Sequence, residues 1–128
     1  MAYYSNKLLR LEFEAAIQKV VAALKQEGFG VLSDIDVKAT LKQKINVEFR
    51  AYRILGACNP SLAQKALAAE DKIGTMLPCN VIVQDLGGGN IEVAAINPLV
   101  AMERVANPEL TLIAQDVAAR LERVIAAL

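Results

Sequence analysis

At 128 residues with 55% hydrophobic content, the chain carries enough apolar surface for one ordinary core and reads as a single domain, 1–128. Fourteen basic side chains balance fourteen acidic ones, Trp is absent, and only three Phe and three Tyr occur, so the chain lacks both the field and the stacking platforms that draw a protein onto nucleic acid. Histidine is absent too, which removes Ser-His and Cys-His nucleophile pairs and the commonest ligand for zinc, copper and haem iron.

Residues Ala2 to Leu9 are expected to form a first strand. From Phe13 to Glu27 the apolar residues Phe13, Ile17, Val20, Val21 and Leu24 follow the three-four spacing of a helix with one face on a core, and Gly28 ends it. Phe29 to Leu32 has strand character. Asp34 or Asp36 is placed to cap a short basic helix over Val37 to Lys44, with Leu41 and Ile45 as its apolar anchors. A strand is predicted from Val47 to Cys58, with Arg50 and Arg53 on opposite faces.

Three of the four prolines follow asparagine, at Asn59-Pro60, Asn97-Pro98 and Asn107-Pro108. Asn is a favoured N-cap and Pro fits the first helical turn, so each pair marks a helix or turn start. The first opens a helix from Pro60 to about Ala69. The last opens the longest helix, Pro108 to about Ala127, with a stripe of Leu110, Ile113, Val117, Leu121, Val124 and Leu128. Between them Asn80–Asp85 and Ile91–Ile96 are β-rich runs joined by Leu86-Gly87-Gly88-Gly89-Asn90, a hairpin with a glycine turn. This order suits an α+β domain: a two-layer sandwich in which a largely antiparallel sheet is covered by helices on one face.

Both cysteines lie where the chain changes direction, and each directly precedes an asparagine: Cys58-Asn59 and Cys79-Asn80. Polar, capped turns bearing unusual residues are better ligand-site candidates than periodic helices, so these four residues are the candidate ligand-binding positions. Cys58 precedes a helix start, where free amides stabilise a thiolate; the rival reading is a small buried hydrophobe, the commoner fate of a free cysteine. Two thiols alone complete no zinc site, and neither a metal nor a cofactor is expected. Lys38, Lys42, Arg50 and Arg53 belong to the densest basic stretch and are the candidate anion-binding residues, against the reading of a solvated face balanced by Asp34, Asp36 and Glu48. The triple glycine lacks the Gly-Lys-Ser/Thr of a phosphate loop and is read as a turn.

The stretch Glu27 to Leu32, the following Asp36-Val37, the run Tyr52-Arg53-Ile54-Leu55-Gly56-Ala57-Cys58-Asn59-Pro60 and the later Leu77-Pro78-Cys79-Asn80-Val81 together resemble the bacterial and archaeal family catalogued as domain of unknown function 302, over roughly residues 13 to 100. The resemblance implies a compact fold of TATA-binding-protein-like shape and association as a homodimer. It implies no established activity, and Cys58, Asn59, Cys79 and Asn80 carry over as motif positions, not as catalytic residues.

The expectation is a small soluble cytoplasmic protein with no signal-like start and no apolar run near the ~18 residues that span a bilayer. It is read as a small-ligand-binding or accessory module acting as a homodimer, without nucleic-acid or membrane partners. The alternative is a thiol-based redox sensor or thiol-dependent enzyme using Cys58 and Cys79, since a Lys or carboxylate base leaves catalysis open.

Overall fold

The structure is a computed structural model that describes residues 2–128. Its elements in chain order are β1 (Tyr4–Leu9), α1 (Phe13–Gln26), β2 (Gly30–Asp36), α2 (Val37–Ile45), β3 (Tyr52–Cys58), α3 (Pro60–Ala69), a 3₁₀ segment (Asp71–Met76), β4 (Cys79–Gly87), β5 (Asn90–Ile96), α4 (Pro98–Ala101) and α5 (Pro108–Ala126). The five strands form one sheet in the order β1-β5-β4-β3-β2, every neighbouring pair antiparallel. The α+β architecture expected from the element order is therefore the one observed.

Alternation along the central strands decides which face is covered. Leu55 and Ala57 of β3, Val81 and Val83 of β4, and Ile91, Val93 and Ala95 of β5 are all buried. Register places Leu55 opposite Val81 and Val83 opposite Val93, so these side chains stack in rows on one side. Onto them pack Ala16, Ile17, Val20 and Leu24 of α1 and Val117, Leu121 and Val124 of α5, forming the main apolar cluster. A smaller cluster of Ala66, Ile73 and Leu110, joined by Leu77, Met102 and Val105, sits among α3, the 3₁₀ segment and α5; Ile113 packs against both.

The start and stop signals act as local chemistry requires. Gly28 takes φ +84°, and the N–H groups of Gly28 and Phe29 donate to the carbonyls of Lys25 and Leu24 at 3.1 and 2.9 Å, closing the end of α1. All three Asn-Pro pairs cap helices: the Oδ1 atoms of Asn59, Asn97 and Asn107 accept from the N–H groups of Leu62, Leu99 and Glu109 at 3.2, 3.1 and 3.1 Å. In the β4–β5 hairpin Gly87 pairs with Asn90, leaving Gly88 and Gly89 as a two-residue turn at φ +64° and +83°.

Several boundaries differ from expectation. β1 begins at Tyr4 rather than Ala2. The strand expected from Val47 starts only at Tyr52, opposite Gln84, because Asn46 in the left-handed conformation ends α2 and the chain must then travel to reach its partner strand. Asp36, not Asp34, caps α2, accepting from the Ala39 N–H at 2.9 Å. Of the two expected anchors of α2, Leu41 is half-buried while Ile45 is 63% exposed, and no residue of the helix is fully buried. The 3₁₀ segment was not foreseen. No helix among the described residues is long and apolar enough to cross a membrane.

Candidate functional site

Strand pairing brings the two cysteine turns to the same end of the sheet. Cys79, the first residue of β4, lies opposite Ala57, and Cys58 is the next residue along β3. The chain turns immediately after Cys58, where the Asn59 cap and Pro60 start α3; it enters β4 immediately after Leu77-Pro78. Two glycines permit this close arrangement. A Cβ on Gly56 would lie 2.2 Å from Ser33 Oγ and 2.7 Å from Pro78 Cγ, so β3 and the Pro78 turn meet across bare backbone. A Cβ on Gly28 would fall 2.9 Å from Asn59 Nδ2, so the end of α1 leaves room for the cap of α3. Arg120 of α5 fastens this corner by donating from Nη1 to the Glu27 carbonyl at 3.1 Å.

Behind the turns lies a cleft of about 320 Å³, within the range of small-molecule sites. Cys58, Asn59 and Cys79 line it at the sheet end, Ala63 and Ala66 on the α3 side, and Met102 after α4. Leu32 also lines it; β2 bulges at this point in its pairing with β3, leaving Leu32 71% exposed. Among the described residues no charged side chain lines the cleft, and Asn59 contributes the single side-chain amide. The wall runs from the main apolar cluster (Phe29, Leu62) to the smaller one (Ala66, Leu110).

Burial, and secondarily the neighbouring Cys58, pushes the Cys79 thiol up to about 11. Cys79 is therefore a protonated, apolar wall atom at neutral pH. Cys58 is half-buried, and both cysteines are free.

The four expected ligand positions do not all converge. Cys58, Asn59 and Cys79 share the cleft, while Asn80 is exposed and lines a different, shallower groove of about 380 Å³ with Tyr3, Tyr4, Tyr52, Gln84 and Glu92. The four expected anion positions are dispersed. Arg53 pairs with Asp34 through two nitrogens and with Glu14 at 3.1 Å, which holds the Asp34 carboxyl below its ordinary range. Lys42 pairs with Glu48, and Lys38 stands exposed on α2. Arg50 donates from Nε to Gln84 Oε1 at 2.7 Å, its guanidinium 4.4 Å from the Phe49 ring centre. The residues that sequence reasoning missed are Leu32, Ala63, Ala66 and Met102, small or aliphatic side chains whose type carries no chemical signal.

The fold defines a small α+β domain with one apolar cleft at the double-cysteine corner. Residues 5–128 match the family model described as Domain of unknown function DUF302, and the chain belongs to that family. The match is wider than the motifs alone suggested, taking in β1 from Ser5 onward and the whole of α5. Among solved structures, the chain is similar to the crystal structure of an uncharacterized conserved DUF302 protein from Bacillus stearothermophilus, with a TM-score of 0.91, 27% identity, and coverage of 99% of this chain and 98% of that one. No protein of curated function matches.

Proposed function

We propose that the chain is a single-domain module that binds a small molecule in the cleft at the Cys58 and Cys79 turns, and that it acts as a cytoplasmic homodimer. The observation that carries the binding reading is the cleft itself: about 320 Å³ of concave, almost wholly apolar surface bounded by the Cys58 and Cys79 turns. The thiol-chemistry alternative is less well supported, because the buried Cys79 thiol is held protonated at neutral pH.

The homodimer reading rests on the sheet face turned away from α1 and α5. Tyr4, Ile54, Ile82, Ala94 and Ile96 lie on that side by strand alternation. A row of hydrogen bonds crosses the same face, with Asn6 donating to Glu92 Oε2 at 2.9 Å, Gln84 to Glu92 Oε1 at 2.7 Å, and Arg50 to Gln84. Covering this row leaves its members paired within the chain.

A thermal-shift screen of a metabolite panel tests the binding reading, with Ala63→Phe as a variant whose ring fills the cleft from its α3 wall. At least one compound is expected to raise the melting temperature of the wild type and not that of the variant; a panel that shifts neither overturns the reading. Sedimentation tests the second part: a monomer at working concentrations overturns the homodimer.

A further inference from the structure

Three features of the cleft define what chemistry suits it. Its lining holds no carboxylate, ammonium or guanidinium, and its sulfurs are a protonated thiol at Cys79, the thiol of Cys58 and the thioether of Met102. Its one side-chain amide, Asn59, already accepts the Leu62 N–H through Oδ1, and its Nδ2 lies against Gly28, 2.9 Å from where a Cβ there would sit, so it offers an occupant little polar recognition. A charged group drawn into such a wall exchanges water for hydrocarbon and sulfur without a counter-ion, which weakens its binding. The volume sets the size. About 320 Å³ is roughly twice the ~150 Å³ that holds one benzene in an engineered lysozyme cavity, enough for about ten carbon atoms.

The position adds a mechanical consequence. The main cluster and the smaller one are separate sets of buried residues, bridged by Ile113. The cleft touches both, through Phe29, Ala57 and Leu62 on one side and Ala66, Leu77 and Leu110 on the other. An apolar occupant makes contacts with both clusters at once and couples the 3₁₀ segment, whose Ile73 belongs to the smaller cluster, to the sheet. Leu32, exposed at the β2 bulge, and Leu67, exposed on α3, both line the cleft and so lie where its wall reaches solvent.

We infer that the cleft takes an uncharged, mainly hydrocarbon molecule of about ten carbons, a medium-chain alcohol or a two-ring aromatic, whose binding ties the two apolar clusters together. This inference rests on the binding reading above and narrows it to a ligand class.

The test compares three congeners that differ in the head group alone: 1-nonanol, nonanoate and nonylammonium, each below its micelle concentration, by calorimetry on the full chain. Nonanol is expected to bind with a negative heat-capacity change and to slow amide exchange across residues 71–76, the two ions at least about tenfold more weakly. Ala63→Phe is expected to abolish nonanol binding; should that variant not fold, Ala63→Leu is expected to weaken it. An ion that binds as tightly as nonanol, with the same sensitivity to Ala63, overturns the ligand class and leaves the site standing. Polar metabolites that bind at Ala63 while nonanol does not have the same consequence. If nothing, nonanol and the metabolite panel included, binds in a manner sensitive to Ala63, both the class and the site fall.

Discussion

Gly56 is the residue on which the corner depends most directly. Ser33 Oγ can rotate away from an added Cβ, but the Pro78 ring cannot, so Gly56→Ala is expected to cost about 1–3 kcal/mol in urea denaturation. Adding Ser33→Ala should recover little of it; full recovery would show that the serine and not the proline turn sets the constraint. The ionisable groups make separate predictions. For Asp34, the folded carboxyl lies below its ordinary 3.8 because Arg53 hydrogen-bonds it, so its contribution is in place above pH ~3.8 and fades as pH falls through the lower folded value. Asp34→Asn should therefore be less stable than the wild type at neutral pH, with the gap closing in acid. For Cys79 the sign reverses. Its thiol rises from 9.0 to about 11, so the stabilisation is complete below pH 9.0 and is lost as pH climbs through about 11. Wild type and Cys79→Ala should draw together over that window, and at pH 8 iodoacetamide should modify half-buried Cys58 well before buried Cys79.

The helices differ in what they contribute. α5 places Leu121 and Val124 at 1% and 0% exposure against the sheet, so Leu121→Ala is expected to cost about 2–5 kcal/mol. Ile45→Ala at the end of α2, where the side chain is exposed, should stay within about 0.5 kcal/mol. Loss of the Asn107 cap should exceed the ~1 kcal/mol usual for an N-cap and cost more than loss of the Asn59 cap, because its Nδ2 also donates to the Ala69 carbonyl at 2.8 Å and ties α5 to α3. Equal losses at Asn59 and Asn107 in thermal unfolding would contradict this. The caps, the Gly28 stop and the glycine hairpin were legible in the sequence because each works through bonds within a few residues. The late start of β3 was not. Val47 and Phe49 have strand propensity, but a strand needs a partner, and register with β4 begins at Tyr52. Ile45 fails as an anchor of α2, where Leu41 is half-buried, for a related reason: apolar spacing says which residues share a face and not how far anything covers it.

At the level of the whole molecule, the cleft is the feature no local pattern announces. Its wall joins residues from Phe29 to Val117, and the proximity of Cys58 to Cys79 follows from the pairing of Ala57 with Cys79. Cys58, Asn59 and Cys79 line the cleft, whereas Asn80 faces the other side because consecutive strand residues alternate. Arg50 and Arg53 are also apart: Arg50, which precedes β3, bonds Gln84, and Arg53 within β3 pairs with Asp34, so each is held or neutralised before any anion arrives. The residues of the one basic stretch are thus distributed over separate partners, while aliphatic residues of α3 and α5 line two walls of the candidate site.

The measurement that bears most directly on the account is an amide chemical-shift titration of the ¹⁵N-labelled chain with 1-nonanol. The account predicts that the shifts concentrate at Cys58, Ala63, Ala66, Gly74, Cys79 and Met102, the residues that surround the cleft on every side. Shifts that gather on Tyr4, Tyr52, Gln84 and Glu92, or that are absent at saturation, would contradict it.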